Sequence, residues 1–181
     1  TPALSPNFVG GEGETSAAVL KNSRASESLA TCHLSSGLYP ESVSRKHKRI
    51  AELVEQHQGH QLNKYYVGYF HCFNHQLFYE AHEVLEHIWL KDKHGPNGAF
   101  YKGLIQLAGA FVHLQKNHLR PAAALFKLAL SNLEKYPLEH ERLNLDSTRR
   151  TIQSWLADLE RAHFEANPLN AGNAPKLDLL P

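Results

Sequence analysis

Residues 98–117, GAFYKGLIQLAGAFVHLQKN, constrain most strongly what this chain can fold into. From Phe100 to Leu114 the segment is apolar almost all round. Lys102, Gln106, Gly109 and His113 interrupt it at i, i+4, i+7 and i+11, a spacing that aligns them as one narrow stripe on a helix. A helix apolar on its remaining faces has to be covered by others. The chain supplies them. After Pro40, Val43, Ile50, Leu53, Val54 and His57 fall near helical spacing, with Gly59 as a stop. Residues 62–74 form a dense aromatic block, 76–91 a second amphipathic segment, and Lys91 to Asn97 a Gly-Pro turn. Pro121 suits a first helical turn, and Phe126, Ala129, Leu130 and Leu133 then repeat at i, i+3, i+4, i+7 until Tyr136-Pro137. Ile152, Trp155, Leu156 and Leu159 mark a last helix near 146–165. No period-two alternation competes. The expected fold is all-α: a single multihelical bundle of about five to six helices.

The domain reading places that bundle at 41–165, behind a flexible leader or arm at 1–40 and ahead of a loose tail at 166–181. Nine of the twelve serines lie within the first 44 residues, beside Gly10, Gly11 and Gly13. Such a segment has too little apolar surface to offset chain entropy, so disorder or an extended arm is expected. Glu12, Glu14 and Glu27 argue against a transit peptide, which leaves the cytoplasm as the expected location and an organelle stroma as the alternative. Cys32 and Cys72 form no CxxC pair and imply neither a disulfide framework nor a cysteine-held metal. A formal charge of +1 offers no electrostatic case for nucleic acid, and the basic run Arg45–Arg49 spreads around a helix as a solvated face. No apolar stretch reaches the roughly 18 residues that a membrane span needs.

Chemistry concentrates in residues 78–90, FYEAHEVLEHIWL. At 100° per residue Phe78, Ala81, Leu85, Ile88 and Trp89 share one face. His82 lies inside that arc, Glu86 and Tyr79 border it, and Glu80, Glu83 and His87 are expected to point to solvent. His82-Glu83 begins like a zinc-protease helix, yet position 86 is glutamate and His87 is rotated by about 140° from His82. The ferritin-like Glu-x-x-His pair is absent as well. His82 and Glu86, at i, i+4, remain as a nitrogen and an oxygen donor on one side. The stripe of Lys102, Gln106, Gly109 and His113 either faces water or meets them across an antiparallel helical hairpin, with Gly109 allowing close approach. A buried seam of that kind must be hydrogen-bonded throughout, because each unpaired group costs roughly 1–3 kcal/mol. His71 and His75 are also at i, i+4, but Asn74 is a poor helix-interior residue, and a break there removes their alignment with His82. Tyr65, Tyr66, Tyr69, Phe70 and Phe73 read as core or interface.

In order, Phe73-Asn74, Phe78-Tyr79-Glu80-Ala81-His82-Glu83, Glu86 and Trp89 resemble the domain of unknown function 309 family and its His-x-x-x-Glu-x-x-Trp motif. Tyr101-Lys102-Gly103-Leu104-Ile105-Gln106 with His113 resembles the family's second block, and Asn117 followed by Ala122 its third. The resemblance covers roughly residues 62–137. It departs at Gln76, where the family usually shows glycine, and near Lys116 and Pro121, where it shows glycines. What it implies is a small all-helical bundle, with no activity attached.

The expected function is therefore a non-catalytic helical binding or accessory domain. His82, Glu86, Trp89, Lys102, Gln106 and His113 are its candidate polar cluster or pocket, read as a structural network. A protein partner or a second copy is the expected partner; nucleic acid is not. No cofactor is expected. The alternative is a metal-assisted or acid–base hydrolase in which His82, Glu86 and His113 hold a divalent metal and Gln106 or Lys102 places an anionic substrate.

Overall fold

A computed structural model describes residues 40–57 and 61–181, with side chains from Lys48 onward. The leader at 1–39 and the side chains of Arg45, Lys46 and His47 lie outside the described residues. Six helices follow in order: α1 (Pro40–Glu55), α2 (Lys64–Asn74), α3 (Phe78–Trp89), α4 (Gly98–Gln115), α5 (Leu119–Leu133) and α6 (Leu145–Arg161). The fold is all-α as expected, with one addition. A two-residue hairpin, β1 (Glu139–His140) and β2 (Leu143–Asn144), precedes α6, and Glu141 and Arg142 turn it with φ of 48° and 60°.

The long apolar segment becomes α4, which packs against both α3 and α5. Phe100, Leu104, Leu107, Ala108, Phe111 and Leu114 are buried along it. Phe111 is the hub of the interior. Its ring meets Phe73 of α2 at 5.5 Å, Phe78 of α3 at 4.9 Å, Phe126 of α5 at 5.4 Å and Trp155 of α6 at 5.2 Å. Close approach of α4 to α5 depends on Gly103, where a Cβ would come within 2.9 Å of Leu133. The aromatic block of α2 is core, as expected from its composition, and its buried hydroxyls are satisfied: Tyr66 donates to the Glu141 carbonyl at 3.0 Å and the deeper Tyr69 to the Leu104 carbonyl at 2.9 Å. Burial holds the Tyr69 phenol well above its ordinary value.

The break at Asn74 is real. Helix α2 ends there, His75 caps it, and Gln76 enters the left-handed region at φ 60°. Gln76 N–H donates to Phe73 and Leu77 N–H to Cys72, the two reverse bonds of a Schellman ending. Helix α4 ends the same way, with Asn117 at φ 57° donating to Leu114 and His118 donating to His113. At the end of α5, Arg149 of α6 reaches back and donates to the carbonyls of Leu133 at 2.5 Å and Tyr136 at 2.6 Å, satisfying acceptors that a helix end leaves open.

The tail is not loose. Leu177 is buried, Asn74 grips its backbone through two bonds of 2.9 and 2.8 Å, and Asn167 donates to Leu114 at 2.7 Å. Leu179 bridges to Leu143 beside the hairpin, and Arg142 and Leu180 exchange hydrogen bonds. Hydropathy did not announce this, since the anchoring rests on side-chain amides and three leucines.

Candidate functional site

The residues of the motif helix sort by burial differently from a wheel drawn on α3 alone. Phe78, Ala81, Val84 and Leu85 are in the core, but Glu83, expected in solvent, is buried, and Trp89, expected on the buried face, is only partly so. A wheel weighs only the helix's own side chains; whether a second element covers a flank depends on tertiary packing. His82 Nδ1 lies 3.6 Å from Glu83 Oε1. One ligand-type atom from each of His82, Glu83 and Glu86 falls within 4.8 Å of the others. Glu80 turns aside to pair with Arg49 of α1 at 2.5 Å, and His87 stacks on Tyr65 of α2 with ring centroids 4.3 Å apart.

Both neighbours, α3 and α5, approach the stripe on α4. A Cβ at Gly109 would lie 3.3 Å from Leu125 of α5 and 4.0 Å from His82 of α3. Gln106 accepts a 2.8 Å bond from Asn132 of α5, and Asn132 in turn accepts from Lys135 at 2.9 Å. His113, partly buried, stands with its ring 5.7 Å from His118 at the mouth of α5. Desolvation, then His118 and Lys116, hold His113 below the ordinary histidine value. Among the described residues the compact donor group comprises His82, Glu83 and Glu86; His113 is not one of its members.

The remaining candidates, Trp89 and Lys102, meet elsewhere. They line one cavity of about 300 Å3 together with Lys93, His94, Asn132 and Lys135. The free thiol of Cys72 is buried and pushed up to about 11, by desolvation first and Glu80 second, with Arg49 opposing; that is no activated nucleophile. His71 and His75 lie with ring centroids 4.4 Å apart, and His75 Nδ1 donates to the His71 carbonyl at 2.8 Å.

Residues 66–125 match the family model described as a domain of unknown function (DUF309). The chain carries a DUF309 domain. No curated protein and no solved structure matches the chain. The DUF309 segment runs from the aromatic block of α2 into the first turns of α5, so it contains the whole His82–Glu83–Glu86 group, Trp89 and the stripe of α4. Asn132, which bonds to that stripe through Gln106, and Lys135, which bonds to Asn132, complete the cavity and lie beyond the DUF309 segment. No described helix is long and apolar enough to cross a membrane.

Proposed function

We propose that this DUF309 domain is a non-catalytic helical binding domain in which the motif's polar residues are a structural node. What supports the reading is how those residues are engaged. Glu83 is buried beside His82 within α3, and Gln106 is bound through Asn132 to Lys135, so polar side chains tie α5 to the central helix while the α3 pair lies close to it at Gly109. A node of this kind selects one helix register, because any slip leaves polar groups buried and unpaired. The binding partner is a protein, a second copy or a small ligand held beside the node. His82→Ala, Glu83→Gln and Glu86→Gln should each fold and melt at lower temperature, by an amount equivalent to about 1–3 kcal/mol for the buried members. Melting curves superimposable on the parent's for all three would remove the node.

One distance set favours a second reading. An imidazole and two carboxylates within 4.8 Å form a nitrogen–oxygen set of the kind that divalent zinc accepts. The trio is His82, Glu83 and Glu86, with Glu83 in the place expected for His113. A metal-assisted hydrolase would need that ion. Elemental analysis of protein purified without chelator, together with the Glu86→Gln variant, separates the readings. About one equivalent of metal that vanishes in the variant supports the cation site; folded, metal-free protein supports the structural node.

A further inference from the structure

We propose that the cavity between the end of α3, the start of α4 and the end of α5 is a binding site for a small organic phosphate. The proposal rests on the binding-domain reading above and names its ligand class. The cavity holds about 300 Å3 and is lined by Trp89, Lys93, His94, Lys102, Asn132 and Lys135, with Gly98 and Ala99 at the head of α4. That volume falls at the small end of ligand pockets, which run from roughly 300 to 1,000 Å3. Three lysines and a histidine line it, and none of its lining residues is acidic. Like charges gathered around one concavity raise its potential and favour a multiply charged anion within it.

Two features give the site direction. Lys135 is held by the side-chain oxygen of Asn132, and Asn132 by Gln106, so one cation is positioned by a chain of hydrogen bonds rather than left to wander. The 18-residue helix α4 begins at the cavity wall without an acidic residue in its first turn, so the positive end of its dipole acts on the same space. Gly98 permits the arrangement: a Cβ there would lie 2.3 Å from the Lys93 carbonyl, so only glycine lets the lysine-bearing turn close on the helix. Asp92, the carboxylate of that turn, is folded against Gly95 instead. Trp89 adds an aromatic wall. Phosphate oxygens suit the lysines as point charges, and the indole suits a flat or apolar group carried by the same ligand. A concave site with one aromatic wall fits a small molecule better than an extended strand of nucleic acid.

The test is calorimetric titration of the full chain at low salt with phenyl phosphate, inorganic phosphate and a 12-nucleotide RNA, alongside circular dichroism of every variant. Phenyl phosphate should bind at one site, and more tightly than inorganic phosphate. Lys102→Ala combined with Lys135→Ala, both at exposed positions, should weaken both phosphates about tenfold, the change that ~1.4 kcal/mol produces. Trp89→Leu should remove the advantage of phenyl phosphate and leave inorganic phosphate unchanged. An unaltered affinity in the folded double lysine variant overturns the site. So does RNA binding in protein that ignores phenyl phosphate, and so does the absence of any phosphate binding in protein with a normal melt. Release of phenol would support the site while overturning the non-catalytic reading. Loss of the node in the melting experiments leaves the titration result standing, so the two failures are distinguishable.

Discussion

Gln76 occupies a left-handed backbone position that costs an L-residue roughly 1–2 kcal/mol and glycine almost nothing. It does so because the Schellman ending of α2 requires that conformation, and its carbonyl also receives Gln115 of α4 at 3.1 Å. Gln76→Gly keeps both backbone bonds and should raise stability by about 0.5–1 kcal/mol once the extra freedom of the unfolded glycine is subtracted. Chemical denaturation of the two proteins measures it, and a destabilised variant would show that the glutamine side chain contributes something its backbone does not. His113 supplies a pH dependence with a definite sign. Its folded-state value is depressed below 6.5 by desolvation, so the unfolded chain takes up the proton first as pH falls. Its contribution is present in full above 6.5 and is lost as pH drops from there through the depressed folded value. The melting temperature should therefore decline over that window, and His113→Gln should decline less; parallel curves would assign the decline to other groups. At this scale the helix break after Asn74 was legible in the letters, but the left-handed conformations of Gln76 and Asn117 were not. The burial of Glu83 was illegible, since nothing in α3 reveals what covers its second flank.

The elements were easier to read than their contacts. Helical patterning located five of the six described helices, because apolar recurrence at three and four residues is a property of the local chain, whereas α2 stood out as a block of aromatics. Stops at Asn74, near Gly95-Pro96 and at Tyr136-Pro137 were equally local. Which helix the polar stripe of α4 would face was a different matter. The sequence reading left the stripe facing either water or α3, whereas Gln106 is bonded to α5 and Gly109 approaches both Leu125 and His82. The hub residue tests how the elements are held. Phe111 touches one aromatic ring on each of α2, α3, α5 and α6, so Phe111→Ala should lower stability by about 3–5 kcal/mol, beyond a typical single-contact deletion. Thermal unfolding of Phe111→Leu, which refills part of the volume, should fall between that variant and the parent. A loss under about 1 kcal/mol for the alanine variant would mean the rings repack around the gap.

Across residues 41–181 the last stretch of chain closes the bundle. Asn74, at the end of α2, holds the backbone of Leu177 through both side-chain atoms across 103 positions of sequence. Removing those two bonds with Asn74→Ala should cost about 1–2 kcal/mol, and hydrogen exchange should show residues 174–181 losing protection before the helices do. Retained protection there would mean that the buried Leu177 and the Leu143–Leu179 bridge suffice to hold the tail. What the letters determined by themselves was an all-helical bundle of the DUF309 kind and the few polar residues it would have to accommodate, because period and motif are written within one helix turn of each residue. The tertiary structure alone decided that Glu83 goes inside, that Gln106 answers to α5, that three lysines and Trp89 share one cavity and that the tail is clasped. Each of those depends on which distant surface arrives next to it, and that is settled by packing over the whole core.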